Sequence, residues 1–89
     1  MIERETEIVN RLGLHARAAA KLVHTAGAFQ ARVTVAKDGE EVDAKSILGV
    51  LLLAAGQGSC VTVRCEGEDE EAALRAVTTL IANRFDEES

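Results

Sequence analysis

Apolar residues recur at every second position in some segments of this chain and at three- and four-residue spacing in others, with no linker between the two kinds. An alternating segment has one face to bury, and so has a helical stripe, so such segments must cover each other. From Ile2 to Asn10 the pattern alternates. Ile2, Thr6 and Ile8 share one face with Arg4, and Glu3, Glu5 and Glu7 hold the other, which predicts a strand with one wet side. Ala16 to Ala26 then brings strong helix formers and no glycine. Its stripe is Ala19, Leu22, Val23 and Ala26, and Gly27 is placed to end it. Arg17, Lys21 and His24 fall on the outward side.

Ala31, Val33 and Val35 alternate with Arg32 and Thr34 as a second strand. Asp38-Gly39 is a strong hairpin signal, so Glu40 to Asp43 should return antiparallel. Ser46 to Ala55 predicts a short helix that begins at a serine cap, broken by Gly56-Gln57-Gly58. Cys60 to Cys65 is a third long strand, with Val61, Val63 and Cys65 inward. Asp69 is placed to cap a last helix, with Glu70 and Glu71 in its first turn and a stripe of Ala73, Leu74, Val77, Leu80 and Ile81. The tail Asp86-Glu87-Glu88-Ser89 is expected to fray. The order is βαββαβα. Residues 1–89 therefore read as one α+β domain, a four-stranded antiparallel sheet with three helices on one face.

Composition narrows the function. Hydrophobic residues are 47% of the chain, but with two Phe and no Trp or Tyr the core has to be aliphatic. A net charge of −5 and the missing aromatics disfavour nucleic acid as a partner, and the charge disfavours an anionic membrane surface. Protein partners stay open. The longest apolar run, Val50 to Ala55, is too short to span a bilayer, and Met1-Ile2-Glu3-Arg4-Glu5 is charged from the outset. Cys60 and Cys65 are separated by an odd number of strand positions, so they point to opposite faces and neither pair nor share a metal. The expectation is a reduced, cytoplasmic monomer with no metal and no cofactor.

The second helix has two apolar sides. Ile47, Val50, Leu53 and Ala54 make one stripe, and Leu48, Leu51, Leu52 and Ala55 another. A helix this short buries only one of them fully on a sheet. The other is covered by flanking helices, is a scatter of exposed leucines, or is a docking patch.

Chemistry concentrates at Gly13-Leu14-His15-Ala16-Arg17, where an irregular connection gives way to the first helix. A helix start offers unpaired N–H groups and partial positive charge. An anion attached to the imidazole would meet those groups and the Arg17 guanidinium together. Neutral imidazole is a competent nucleophile near neutral pH, which suits a relay. The plain alternative is a histidine that caps the helix or merely lies on the surface. His24, about 13 Å of helical rise away, is too distant to share a metal with His15 and reads as an exposed residue that touches partners.

Gly13-Leu14-His15-Ala16-Arg17, followed by Lys45-Ser46-Ile47-Leu48-Gly49-Val50 and Gln57-Gly58, resembles the HPr family, the histidine-containing phosphocarriers of the bacterial phosphoenolpyruvate-dependent phosphotransferase system. The likeness spans nearly the whole chain. It implies an open-faced β-sandwich and a carrier, not an enzyme. His15 would accept a phosphoryl group on Nδ1 from phosphorylated enzyme I and hand it to a histidine of an enzyme IIA protein. Arg17 and the N–H groups of Ala16 and Arg17 would hold the phosphate. Ser46 matches the serine that an HPr kinase/phosphorylase modifies in many bacteria. Ile47 and Leu48 match part of the family's docking surface, and Ala20, His24, Leu51 and Leu52 are expected to extend that partner-facing surface.

One departure stands out. The family's commonest motif has proline after the arginine, and this chain has Ala18. Alanine keeps helix propensity and adds an N–H near the phosphate, so the site should survive while the branch is in question. Leu51 and Leu52, unusually apolar for that side, point the same way. A nitrogen-related or Ser46-regulated binding module is thus the alternative. Ser46 itself is explained either as a helix cap or as a cap that is also modified. A self-sufficient histidine-dependent phosphatase is disfavoured, because the motif supplies no carboxylate beside His15.

Overall fold

The computed structural model describes residues 1–89. The strands are β1 (Ile2–Glu7), β2 (Arg32–Lys37), β3 (Glu40–Asp43) and β4 (Cys60–Glu66). The helices are α1 (Ala16–Gly27), α2 (Ile47–Leu52) and α3 (Glu70–Ala82), and a single 3₁₀ turn follows at Arg84–Asp86. The sheet runs β1-β4-β2-β3, antiparallel throughout. Ile2 faces Cys65 across β1 and β4, and Val35 faces Val63 across β2 and β4. The β2–β3 hairpin turns on Asp38 and Gly39, both left-handed with φ of 52° and 87°. That is the primed turn whose twist matches the strands it joins.

One side of the sheet carries Val33, Val35, Val61, Val63 and Cys65, all buried. The stripes of α1 (Ala18, Ala19, Leu22, Ala26) and α3 (Ala73, Leu74, Val77, Ile81) complete a single cluster with Phe85. Each fully buried Val or Leu contributes about 1.5–3 kcal/mol, so this layer holds the molecule together. The other face is wet and charge-paired. Arg64 Nε donates to Glu3 at 2.8 Å, and Arg64 also donates to Glu41 at 3.2 Å. No helix is long and apolar enough to cross a membrane.

Element order and fold class agree with the sequence reading, and several local expectations do not. β1 ends at Glu7, although Ile8 and Asn10 beyond it remain fully buried. α2 is only Ile47–Leu52. Ser46 is its N-cap and accepts the Gly49 N–H at 3.2 Å. Past Leu53 the chain turns left-handed at Ala54 (φ 52°), which rotates Ala55 into the core and leaves Ala54 outside. Neither predicted α2 stripe is therefore intact: Val50 and Leu53 are buried, but Ile47 is 45% exposed.

Asp69 does not cap α3 with its side chain. Its carboxylate reaches across instead and accepts the N–H groups of Gln30 and Ala31 at 2.9 and 2.8 Å, holding the start of β2.

The tail is tied to the body: the Asp86 and Glu87 N–H groups donate to Asn83 and Arg84, and Glu87 accepts from Asn10. Phe85 is fully buried, and Lys21 Nζ donates to its carbonyl at 2.9 Å. Arg84, Phe85 and Asp86 are all left-handed, with φ of 58°, 54° and 63°. Such backbone costs on the order of 1–2 kcal/mol per non-glycine residue. Burial of the Phe85 ring and the tail's hydrogen bonds offset that cost.

Candidate functional site

The segment before α1 is closed by its own polar groups. The Gly13 N–H donates to the Asn10 carbonyl at 3.1 Å, and the Asn10 side-chain amide donates to the Gly13 carbonyl at 2.8 Å. Leu14 is buried, and its N–H donates to the Ala55 carbonyl at 2.9 Å. Gly13 is left-handed (φ +65°), and a Cβ there would lie 2.6 Å from the Ala55 carbonyl oxygen. Only glycine fits that approach. The residue two positions before His15 is thus clamped to the chain that leaves α2.

His15 is the N-cap of α1 in extended backbone (φ −75°, ψ 179°), and its side chain makes no capping hydrogen bond. The first-turn N–H groups, Ala16 and Arg17 among them, have no intrahelical acceptor and carry the positive end of the helix dipole. Arg17 is exposed and makes no ion pair. His15, Ala16 and Arg17 line one open cleft of about 490 Å³, with Leu12 and Glu87 on its other sides. The structure brings the three sequence-predicted residues together. Ala18 lies in the same first turn, and its side chain is fully buried in the core.

Glu87 is the residue that sequence reasoning missed. Its Oε1 accepts from the Asn10 side-chain amide at 3.0 Å, and its Oε2 meets His15 Nε2. The motif itself supplies no carboxylate, but the fold brings one to His15 from the tail. Burial pushes the Glu87 carboxyl up, but hydrogen bonds from Asn10 and His15, with the charges of His15 and Arg17, hold it below its ordinary value. A signal for this contact was present. Phe85 stands four residues after Ile81 and extends the α3 stripe into the tail, which places an acid two residues further along.

The remaining expected residues lie outside the cleft. Ala20 and His24 are exposed on α1 and share a shallow depression with Arg17. On α2, Leu48 and Leu52 are 65% and 68% exposed, and Leu51 is 37% exposed. Leu12, exposed beside His15, adds an apolar residue that the sequence did not single out. Helix α2 packs against α1, so the apolar face and the cleft share one scaffold. Ser46 is half-buried at the start of that face. Cys60 and Cys65 are free thiols, one exposed and one buried.

Comparison with known proteins agrees with this geometry. The family model described as the PTS HPr component phosphorylation site matches residues 2–83. A phosphocarrier protein HPr from Cupriavidus necator is 55% identical over 87 residues, covering 98% of each chain. One from Xylella fastidiosa is 53% identical over 89 residues, covering all of both. Among solved structures, an HPr from Thermoanaerobacter tengcongensis superposes with a TM-score of 0.96 at 46% identity, covering 100% of each chain. With its open-faced sheet, three helices and matching motif region, the chain belongs to the HPr family, the phosphocarriers of the phosphotransferase system.

Proposed function

We propose that His15 is the phosphoryl acceptor, loaded by phosphorylated enzyme I and unloaded onto enzyme IIA proteins. The observation that carries this reading is a histidine at a helix start that leaves the first-turn N–H groups uncapped, in an open cleft shared with Arg17. The Nδ1 lone pair forms the bond to phosphorus, and the bond between phosphorus and the donor breaks with its electron pair left on the donor. Little covalent help is needed in such a transfer, which depends on positioning and charge. The N–H groups of Ala16 and Arg17 and the Arg17 guanidinium meet the phosphoryl oxygens. The exposed face of Ile47, Leu48, Leu51 and Leu52, with Ala20 and His24 on α1, receives the partner. In this reading the chain acts in the cytoplasm as a monomer, because one copy holds every part of the site.

Ser46 supports a second, compatible role. Its hydroxyl caps α2 and borders Leu48, so a phosphate added by an HPr kinase/phosphorylase would favour the helix start and oppose partner docking. The relatives at 55% and 53% identity bear the HPr name and one from Shewanella violacea at 43% bears the NPr name, which favours the HPr reading over the nitrogen-related one.

The test is phosphorylation by phosphoenolpyruvate and enzyme I. Acid-labile, alkali-stable label should appear on the wild type and be absent from His15→Ala. Equal labelling of that variant would end the proposal. Hydrolysis of a phosphate ester by the purified chain alone would instead establish an enzyme.

A further inference from the structure

The contact between Glu87 and His15 does more than restrain a tail. A neutral imidazole carries one ring proton, and a carboxylate only accepts hydrogen bonds. Glu87 faces Nε2, so Nε2 must hold that proton and Nδ1 must keep its lone pair. The carboxylate is itself held. Its second oxygen accepts from Asn10, and the backbone before it is anchored by the buried Phe85 ring and by Lys21.

We infer that Glu87 is a positioning residue that selects the ring nitrogen of His15 available for bonding and orients that nitrogen toward the cleft. This rests on His15 being the phosphoryl acceptor. When Nδ1 bonds to phosphorus supplied by a phosphorylated protein donor, Nε2 keeps its proton and the ring becomes cationic. The donor retains the electron pair of the broken bond. Glu87 then faces a cationic N–H, so the contact strengthens as the transfer proceeds. Asn10 donates to both the Gly13 carbonyl and Glu87, and so joins the loop before His15 to the tail behind it.

The experiment reads the ring before it reads the transfer. Imidazole ¹⁵N shifts of the unphosphorylated protein, taken above the histidine titration, should show Nε2–H as the dominant form of His15. Glu87→Ala should lower the ratio of Nε2–H to Nδ1–H by about tenfold, the loss expected for one charge-assisted hydrogen bond. Glu87→Gln, whose amide oxygen still accepts, should lower it less. The initial rate of His15 labelling should follow the same order, while Glu68→Ala, an exposed acid remote from the cleft, leaves both readings at wild-type values. A ratio within twofold of wild type in Glu87→Ala overturns the inference, as does a wild-type ring with its proton on Nδ1. If the ratio moves as expected but the wild-type label falls on another residue, the carrier reading fails and the orienting contact stands. If His15 is labelled while the ratio is unmoved, the reverse holds.

Discussion

Gly13 and Ala55 approach so closely that a Cβ at position 13 would lie 2.6 Å from the Ala55 carbonyl oxygen. That approach lets the Leu14 N–H reach the same carbonyl, and it sets where His15 enters α1. Gly13→Ala should destabilise the fold by about 2 kcal/mol, from the clash and the left-handed backbone together. Urea unfolding reads this directly. A change of a few tenths would mean that the loop relaxes away from Ala55.

Phe85 holds the tail against the core. Phe85→Ala should cost about 3 kcal/mol or more, the scale for truncating a buried aromatic. Glu87 should lose its place as well, so the His15 ring signals should shift with the thermal midpoint. An unchanged ring spectrum in a destabilised variant would show that Glu87 docks without Phe85.

The Asp69 carboxyl lies below its ordinary value because the Gln30 N–H, and then the Ala31 N–H, hydrogen-bond its charged form, which outweighs burial. Its stabilising effect is fully present above the unfolded-state value, about 3.9, and disappears as pH falls through the lower folded value. Asp69→Asn should therefore be less stable than wild type near neutrality, and the gap should narrow on acidification below about pH 4. A gap that does not change with pH would mean that the carboxylate charge contributes nothing.

Ser46 caps α2 by accepting the Gly49 N–H. Ser46→Ala should lower stability by about 1 kcal/mol, the usual loss for a helix cap. Labelling of His15 should be unchanged. A stability loss near zero would show that the cap is dispensable, because α1 and the core already hold this short helix.

Leu48 is largely exposed, so Leu48→Asp should change stability by no more than about 0.5 kcal/mol. If α2 receives the partner, labelling by phosphorylated enzyme I should slow by about tenfold, the scale of one lost apolar contact at an interface. Wild-type kinetics in this variant would move the docking surface elsewhere.

Where a feature depends on near neighbours in the chain, it could be read from one sequence. The alternation of Val33 and Val35, the α1 stripe, the Asp38-Gly39 hairpin and the Ser46 cap all arise from contacts within a few residues. The histidine at the start of α1, with Arg17 on its first turn, was legible for the same reason. Asp69 was legible as a helix-start residue, but its carboxylate found better donors in Gln30 and Ala31, far away in sequence.

What only the tertiary structure decided is long-range. Strand order β1-β4-β2-β3 follows from how the helices cover the sheet, and local periodicity does not encode it. The Ala54 turn puts Ala55 inside, where its carbonyl meets Gly13 and accepts the Leu14 N–H, a contact about forty residues apart in sequence. Glu87 stands 72 positions from His15, and a short polar tail taken alone carries no apolar pattern to hold it. Phe85 supplies the missing anchor: burying one ring brings a carboxylate to the histidine.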